Sequence, residues 1–213
     1  MDDPAPMVLV VDDDPAVRDA LTNLMRSIGL NVRAFASAAE FLASPRPDAP
    51  CCLVLDVRLP EVSGLDLQAE LRRAGDAIPI VFITAHADVR MTVLAMKGGA
   101  IEFLPKPFHE QELLDGIRQA LQHSAAARGQ RAELKILRRR SALLTVRERE
   151  VMARLLTGML NKQVAAELGI TEITVKIHRR HIMEKMAASS LVDLARMEEK
   201  LRRDEASDDK TRS

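Results

Sequence analysis

The chain has 213 residues, enough for one large domain or two small ones, and its zero net charge conceals an uneven split: residues 1–123 hold 11 Lys and Arg against 18 Asp and Glu, residues 124–213 hold 20 against 13. All five Phe (Phe35, Phe41, Phe82, Phe103, Phe108) lie in the acidic half and there is no Trp or Tyr, so the basic half suits phosphate-backbone contact rather than base stacking on single strands. Cys51 and Cys52 are adjacent and cannot build a disulfide framework, and neither a secretory h-region nor an apolar run near ~18 residues occurs, which predicts a cytoplasmic protein with no membrane partner.

The run MVLVV ends in Asp12, Asp13 and Asp14, and Asp14 with Pro15 supplies an N-cap and a first-turn proline. Val17, Ala20, Leu21, Leu24, Met25 and Ile28 then recur at helical spacing up to Gly29. A short strand over 32–35 leads to Ser37 and Glu40 at capping-box spacing. CLVL ends in Asp56, IVFI in Thr84, and IEFL in Pro105, Lys106 and Pro107, with helices predicted near 65–73 and 89–97. A last helix follows Phe108, with Leu113, Ile117, Ala120 and Leu121 as its buried stripe. Short apolar runs bounded by turn residues read as buried strands, and helices between them make the sheet parallel and covered on both faces. The predicted class is α/β: a five-stranded parallel (β/α)5 domain closing near residue 123.

Residues 124–143 turn to Ala, Arg, Gln and Lys without Pro, with six Lys and Arg and one Glu. They read as a helical or flexible connector that could pair with a second copy of itself. From Leu144 the signals are all helical: a Thr145/Glu148 capping box, turns at Gly158 and Gly169, a helix from about Asn161, and Thr171 as N-cap of a helix to about Met186. A fourth helix runs from Ser190 to about Leu201. This predicts an all-α four-helix domain over 144–203 and a charged, disordered tail over 204–213.

In an open parallel sheet, ligands bind at the carboxyl ends of the strands, so acid, acid, hydroxyl and amine should gather around one crevice. Asp13 and Asp56 can offer carboxylates to a Mg2+ that also takes a phosphate oxygen. Phosphoryl transfer asks mainly for positioning and charge stabilisation, so Lys106 would pair with one phosphoryl oxygen and the Thr84 hydroxyl would donate to another. The strings VVDDD, LVLDVRLP, FITAHAD and FLPKPF, in that order, resemble the receiver domain of two-component response regulators. The resemblance implies that Asp56 accepts a phosphoryl group from a sensor histidine kinase. It implies also that Asp12, Asp13 and the backbone carbonyl of Arg58 complete the Mg2+ site with Asp56, and that Lys106 precedes a cis bond at Pro107. A switch is implied too, in which Thr84 turns toward the phosphoryl group and Phe103 follows it inward. Phe103 stands where many relatives carry Tyr, and simple core packing is its other reading.

On the helix from Thr171, Ile173, Lys176, Ile177 and Arg180 fall at i, i+3, i+4 and i+7, while Val175, Ile182 and Met186 share a different face. One face can pack and the other can present cations, which fits either a groove-reading helix or an ordinary solvated one. The longer string LTVREREVMARLLTGMLNKQVAAELGITEITVKIHRRHIMEKM resembles the four-helix output domain of the NarL and FixJ class, also called the LuxR-type helix-turn-helix. That resemblance carries base-edge contact onto Lys176, Ile177 and Arg180, and backbone contact onto Thr174, Arg179 and Lys162. His178 and His181 read as packing or phosphate-side residues rather than metal ligands, and the ten Met as adaptable core filling.

Together the resemblances imply a response regulator in which phosphorylation of Asp56 controls homodimerisation and binding to a palindromic double-stranded DNA operator. RNA polymerase is then a further partner, transcription is activated, and no turnover catalysis is expected. Two other readings stand beside this one. An aspartate-nucleophile phosphatase or phosphotransferase would need an acid two residues after the nucleophile, where Arg58 stands. A phosphorylation-independent DNA-binding or scaffold protein with a vestigial receiver is opposed by the intact set of Asp13, Asp56, Thr84 and Lys106.

Overall fold

The computed structural model describes residues 4–212. Strands β1 (Met7–Val11), β2 (Asn31–Phe35), β3 (Cys51–Asp56), β4 (Ile80–Thr84) and β5 (Glu102–Pro105) alternate with helices α1 (Pro15–Ser27), α2 (Ala38–Ala43), α3 (Gly64–Arg73), α4 (Val89–Lys97) and α5 (Glu110–Ala142). The sheet order is β2-β1-β3-β4-β5, with every neighbouring pair parallel. Each predicted strand and helix of this half is present. Local chemistry starts the helices: the Asp14 carboxylate accepts the Ala16 N–H at 2.8 Å, Ser37 accepts that of Glu40 at 3.1 Å, and Asp88 accepts that of Met91 at 2.8 Å.

Because successive strand residues point to opposite faces, one chain of apolar strands serves two cores. Val8, Val10, Cys52, Val54, Val81 and Ile83 pack under Leu21 and Met25 of α1 and Leu113 and Ile117 of α5. Leu9, Val11, Leu53, Leu55 and Phe82 pack on the other side, under Phe41 of α2, Leu67 and Leu71 of α3 and Ala95 of α4. A fully buried side chain of this size contributes about 1.5–3 kcal/mol, so a strand shifted by one residue would forfeit both faces at once. Gln68 joins α3 to α4 by donating to the Ala95 carbonyl at 3.1 Å.

The chain divides into two compact units between Arg128 and Gly129, inside the 33-residue α5. The segment read as a connector is helical, and it belongs to both units in turn. In the first, the buried Ser124 hydroxyl accepts the Cys51 N–H at 3.0 Å and Arg128 pairs with Asp48 at 2.7 Å. In the second, Leu137 is 3% exposed within the apolar core, and Glu133 pairs with Lys200 at 2.6 Å. This half of α5 therefore packs as a wall of the second unit.

That unit also contains α6 (Val146–Leu156), α7 (Asn161–Leu168), α8 (Glu172–Met186) and α9 (Leu191–Arg212). The Thr145/Glu148 capping box is formed, Gly169 ends α7 in the left-handed region at φ 64°, and Thr171 caps α8 through the Thr174 N–H at 3.1 Å. Helical backbone continues to Arg212, where a disordered tail was expected from 204. Pairs one turn apart, Arg202 with Glu198 and Arg203 with Glu199, supply the local support that carries α9 on. Ser213 lies outside the described residues, among which no helix is long and apolar enough to cross a membrane.

Candidate functional site

The carboxyl ends of four strands converge on one crevice. Asp12 follows β1 and is fully buried, Asp56 closes β3 at 7% exposure, and Thr84 closes β4 fully buried. Lys106, just after β5, places Nζ 2.7 Å from Asp12 Oδ2 and 2.8 Å from Asp56 Oδ2. The strand ends put these four residues within reach of each other although 94 positions separate Asp12 from Lys106.

The electrostatics follow from that packing. Burial pushes the Asp12 carboxyl above the usual range, and the hydrogen bonds from Lys106 and the Asp14 N–H only partly offset it. Burial acts to lower Lys106, but its hydrogen bonds to Asp12 and Asp56 and their negative charges outweigh it and hold the ammonium above the ordinary lysine value. The amine is thus a fixed cation.

Asp12, Asp13 and Asp56 each have a carboxylate oxygen within 4.8 Å of the others, with Asp13 exposed at the rim. Three hard oxygen donors at that separation, one open to water, fit a hydrated divalent cation such as Mg2+. Arg58 turns its N–H to Asp56 Oδ1 at 2.9 Å. The peptide between Lys106 and Pro107 is cis, as expected. The Thr84 hydroxyl accepts the His86 N–H at 3.3 Å. Phe103 is 8% exposed, its ring 6.1 Å from that of Phe82 and tilted by 44°, so it contributes to the core on the α3 and α4 side.

Two residues outside the predicted set shape the same crevice. Arg18 of α1 donates from Nη1 to the Asp12 carbonyl at 2.7 Å. Gly64 opens α3 directly against β3: a Cβ there would lie 2.3 Å from the Asp56 carbonyl oxygen. The signal for Gly64 was a glycine placed immediately after the Ser63 cap, where close backbone approach, rather than a turn, requires it.

In the second unit, α8 divides its faces as its spacing predicts. Val175, Ile182 and Met186 are fully buried, whereas Ile173 and Ile177 are 71% and 45% exposed. Lys176 and Arg180 stand on the exposed side, loosely paired with Glu172 at 3.4 Å and Glu184 at 3.7 Å within the same helix. Lys162 of α7 and Arg179 of α8 line a common cleft of about 440 Å³ with Asn161, Glu172 and Leu191. Thr174 is half-buried, its hydroxyl 2.8 Å from that of Thr171. One exposed helix face thus carries Lys176, Ile177 and Arg180, with Lys162 and Arg179 grouped beside it.

Residues 8–118 match the family described as response regulator receiver domain, and residues 142–198 the family described as bacterial regulatory proteins, luxR family. Nodulation protein W of Bradyrhizobium diazoefficiens is 55% identical over 195 residues, 92% of this chain and 86% of that protein. The solved structure of response regulator StyR matches with a TM-score of 0.84 at 52% identity, covering 92% of this chain and 99% of that one. Full-length FixJ from B. japonicum matches with a TM-score of 0.56 at 36% identity, covering 92% and 96%. The acidic crevice lies within the receiver match and the cationic helix within the luxR match, and the chain belongs to the two-component response regulators of the NarL/FixJ class, regulators of transcription with a LuxR-type DNA-binding domain.

Proposed function

We propose that residues 1–123 receive a phosphoryl group on Asp56 and that residues 144–203 bind operator DNA in response. The observation that carries the first part is the clamped Asp56 carboxylate: Lys106 Nζ lies 2.8 Å from Oδ2 and the Arg58 N–H holds Oδ1 at 2.9 Å, beside two further acids. A carboxylate oxygen of Asp56 attacks the phosphorus of a phosphohistidine on the sensor kinase. The new P–O bond forms as the P–N bond breaks, and the imidazole leaves with the electron pair. Asp12, Asp13, Asp56 and the Arg58 carbonyl would hold Mg2+, which when bound would supply the positive charge that lets two anions approach. The Lys106 ammonium shifts a hydrogen bond from the carboxylates to a phosphoryl oxygen, and Thr84 rotates its hydroxyl from the His86 loop toward another, with Phe103 following. Asp56 is consumed and regenerated as a signal, so the domain is not a turnover enzyme.

In the second part, Lys176, Ile177 and Arg180 meet base edges in the major groove, where basic side chains suit guanine and Ile177 suits a thymine methyl. Thr174, Arg179 and Lys162 hold the phosphate backbone. Phosphorylation drives a homodimer that matches a palindromic operator and engages RNA polymerase to activate transcription. A shift from 1:99 to 99:1 between inactive and active forms needs about 5.5 kcal/mol of differential stabilisation, shared between the phosphoryl charge and dimer formation.

The test is intact-mass analysis and sedimentation of the full chain with Mg2+ and a small phosphodonor, beside Asp56→Asn. A phosphoryl adduct and a monomer-to-dimer change, both confined to the wild type, are expected. A wild type that takes no adduct sinks the phosphoacceptor reading, and an adduct without dimerisation removes the dimer step alone.

A further inference from the structure

We propose that Arg18 is the positioning residue of the acidic site, fixing the Asp12–Asp13 peptide so that both carboxylates are set for a divalent cation. The proposal rests on the reading of Asp12, Asp13 and Asp56 as a Mg2+ site.

Arg18 sits in the first turn of α1, three residues after Pro15. A cation there opposes the helix dipole, which favours acids at this end, and α1 has no acid in its first turn. The helix dipole therefore does not account for its placement. Side chains on a helix lean back toward its N-terminus, and Arg18 leans over the turn that joins β1 to α1. Its Nη1 reaches the Asp12 carbonyl at 2.7 Å, a charge-assisted bond of the stronger kind.

The carbonyl it holds belongs to the peptide plane whose nitrogen is that of Asp13. Fixing that oxygen fixes the direction in which Asp13 leaves the strand end. The rest of Asp12 is already tied down: its N–H donates to the Phe35 carbonyl at 3.3 Å, Oδ1 accepts the Asp14 N–H at 2.9 Å, and Oδ2 accepts from Lys106 at 2.7 Å. Arg18 adds the remaining constraint. Asp13, exposed and on the solvent rim of the cluster, is the acid whose direction that constraint determines.

The experiment titrates the full chain with Mg2+ alone by calorimetry and follows exchange of the Asp13 amide, for the wild type, Arg18→Ala, Arg18→Lys and Asp13→Asn. Arg18→Ala is expected to bind Mg2+ about tenfold more weakly and to exchange the Asp13 amide faster before any metal is added. Arg18→Lys, which keeps a cationic donor, should recover part of both. Unchanged or tighter Mg2+ binding in Arg18→Ala overturns the proposal, the tighter case meaning that the cation merely repels the ion. Asp13→Asn separates the two layers of the reading: if it binds Mg2+ as well as the wild type does, the acidic cluster is not the metal site. If Arg18→Ala fails to fold, Arg18→Lys decides alone: weaker Mg2+ binding with faster Asp13 amide exchange than the wild type supports the role, and affinity and exchange equal to the wild type overturn it.

Discussion

The Lys185 ammonium at the end of α8 meets both carboxylate oxygens of Glu148 on α6, at 2.9 and 2.7 Å. Glu148 is 3% exposed, its backbone partner is the Thr145 N–H at 2.7 Å, and His181 stands 3.8 Å away. Burial alone would raise this carboxyl. The hydrogen bonds from Lys185 and Thr145 outweigh it and bring the carboxyl from 4.5 down to about 2. A carboxyl lowered in the folded state stabilises above its unfolded value, and that contribution is lost as the pH falls toward the folded one. The second unit should therefore lose roughly 2–3 kcal/mol between about pH 4.5 and pH 2, and Glu148→Gln should show a flatter profile over that window. Hydrogen exchange at Val151, Val175 and Ile182, read against pH, measures it.

Lys106 neutralises two carboxylates that are both largely out of water. Lys106→Met should leave Asp12 and Asp56 facing each other without a cation, costing about 2–4 kcal/mol in metal-free buffer. Mg2+ should restore more stability to this variant than to the wild type, because no ammonium competes for the same oxygens. Melting curves with and without Mg2+ decide it, and equal Mg2+ stabilisation of the two proteins would mean that the ammonium and the ion do not compete for the same oxygens.

At Gly64 the obstacle to a side chain is backbone: the Asp56 carbonyl oxygen at 2.3 Å and the Val57 Cα at 3.1 Å. Neither can swing aside as a flexible side chain would. Gly64→Ala should push α3 from β3, cost about 1–3 kcal/mol or more, and slow the uptake of phosphoryl groups by displacing Asp56 itself. Urea unfolding together with the rate of adduct formation tests both, and an Ala variant as stable and as fast as the wild type would show that α3 shifts freely.

For DNA, Arg180→Ala should cost about 1–3 kcal/mol, selectively at one base position. Lys162→Ala should weaken specific and random sequences alike and lower the slope of affinity against salt by about one. Binding isotherms on operator and random duplexes at several salt concentrations separate the two. If both variants lost equally on both duplexes, the division between base-reading and backbone-holding residues would fail.

What was legible in the sequence was whatever is encoded locally. Each strand announced itself as an apolar run, and the residue at its end had to lie at the carboxyl edge of the sheet, which is why Asp12, Asp56, Thr84 and Lys106 could be placed together from their positions alone. The two faces of α8 followed from spacing in the same way. What escaped is what depends on meetings between distant elements. The bond from Arg18 to a carbonyl carries no spacing signal, and Glu148 read as a cap residue because its second partner, Lys185, comes 37 positions later. The clearance at Gly64 is a property of two backbones, and one buried Leu in a run of Arg, Gln and Ala could not announce that the connector belongs to a core.

That last feature bears on how the protein can be cut. Leu137 lies in one core with Leu144, Val151, Val164, Ile182, Leu194 and Leu201, yet it precedes the luxR-family match, which starts at residue 142. A fragment begun at the family boundary would leave a Leu-sized breach in the wall of the second unit and expose apolar surface to solvent. Excision before Gly129 keeps the wall, whereas a protease that nicks α5 between Leu137 and residue 142 would release a DNA-binding piece prone to associate through the gap.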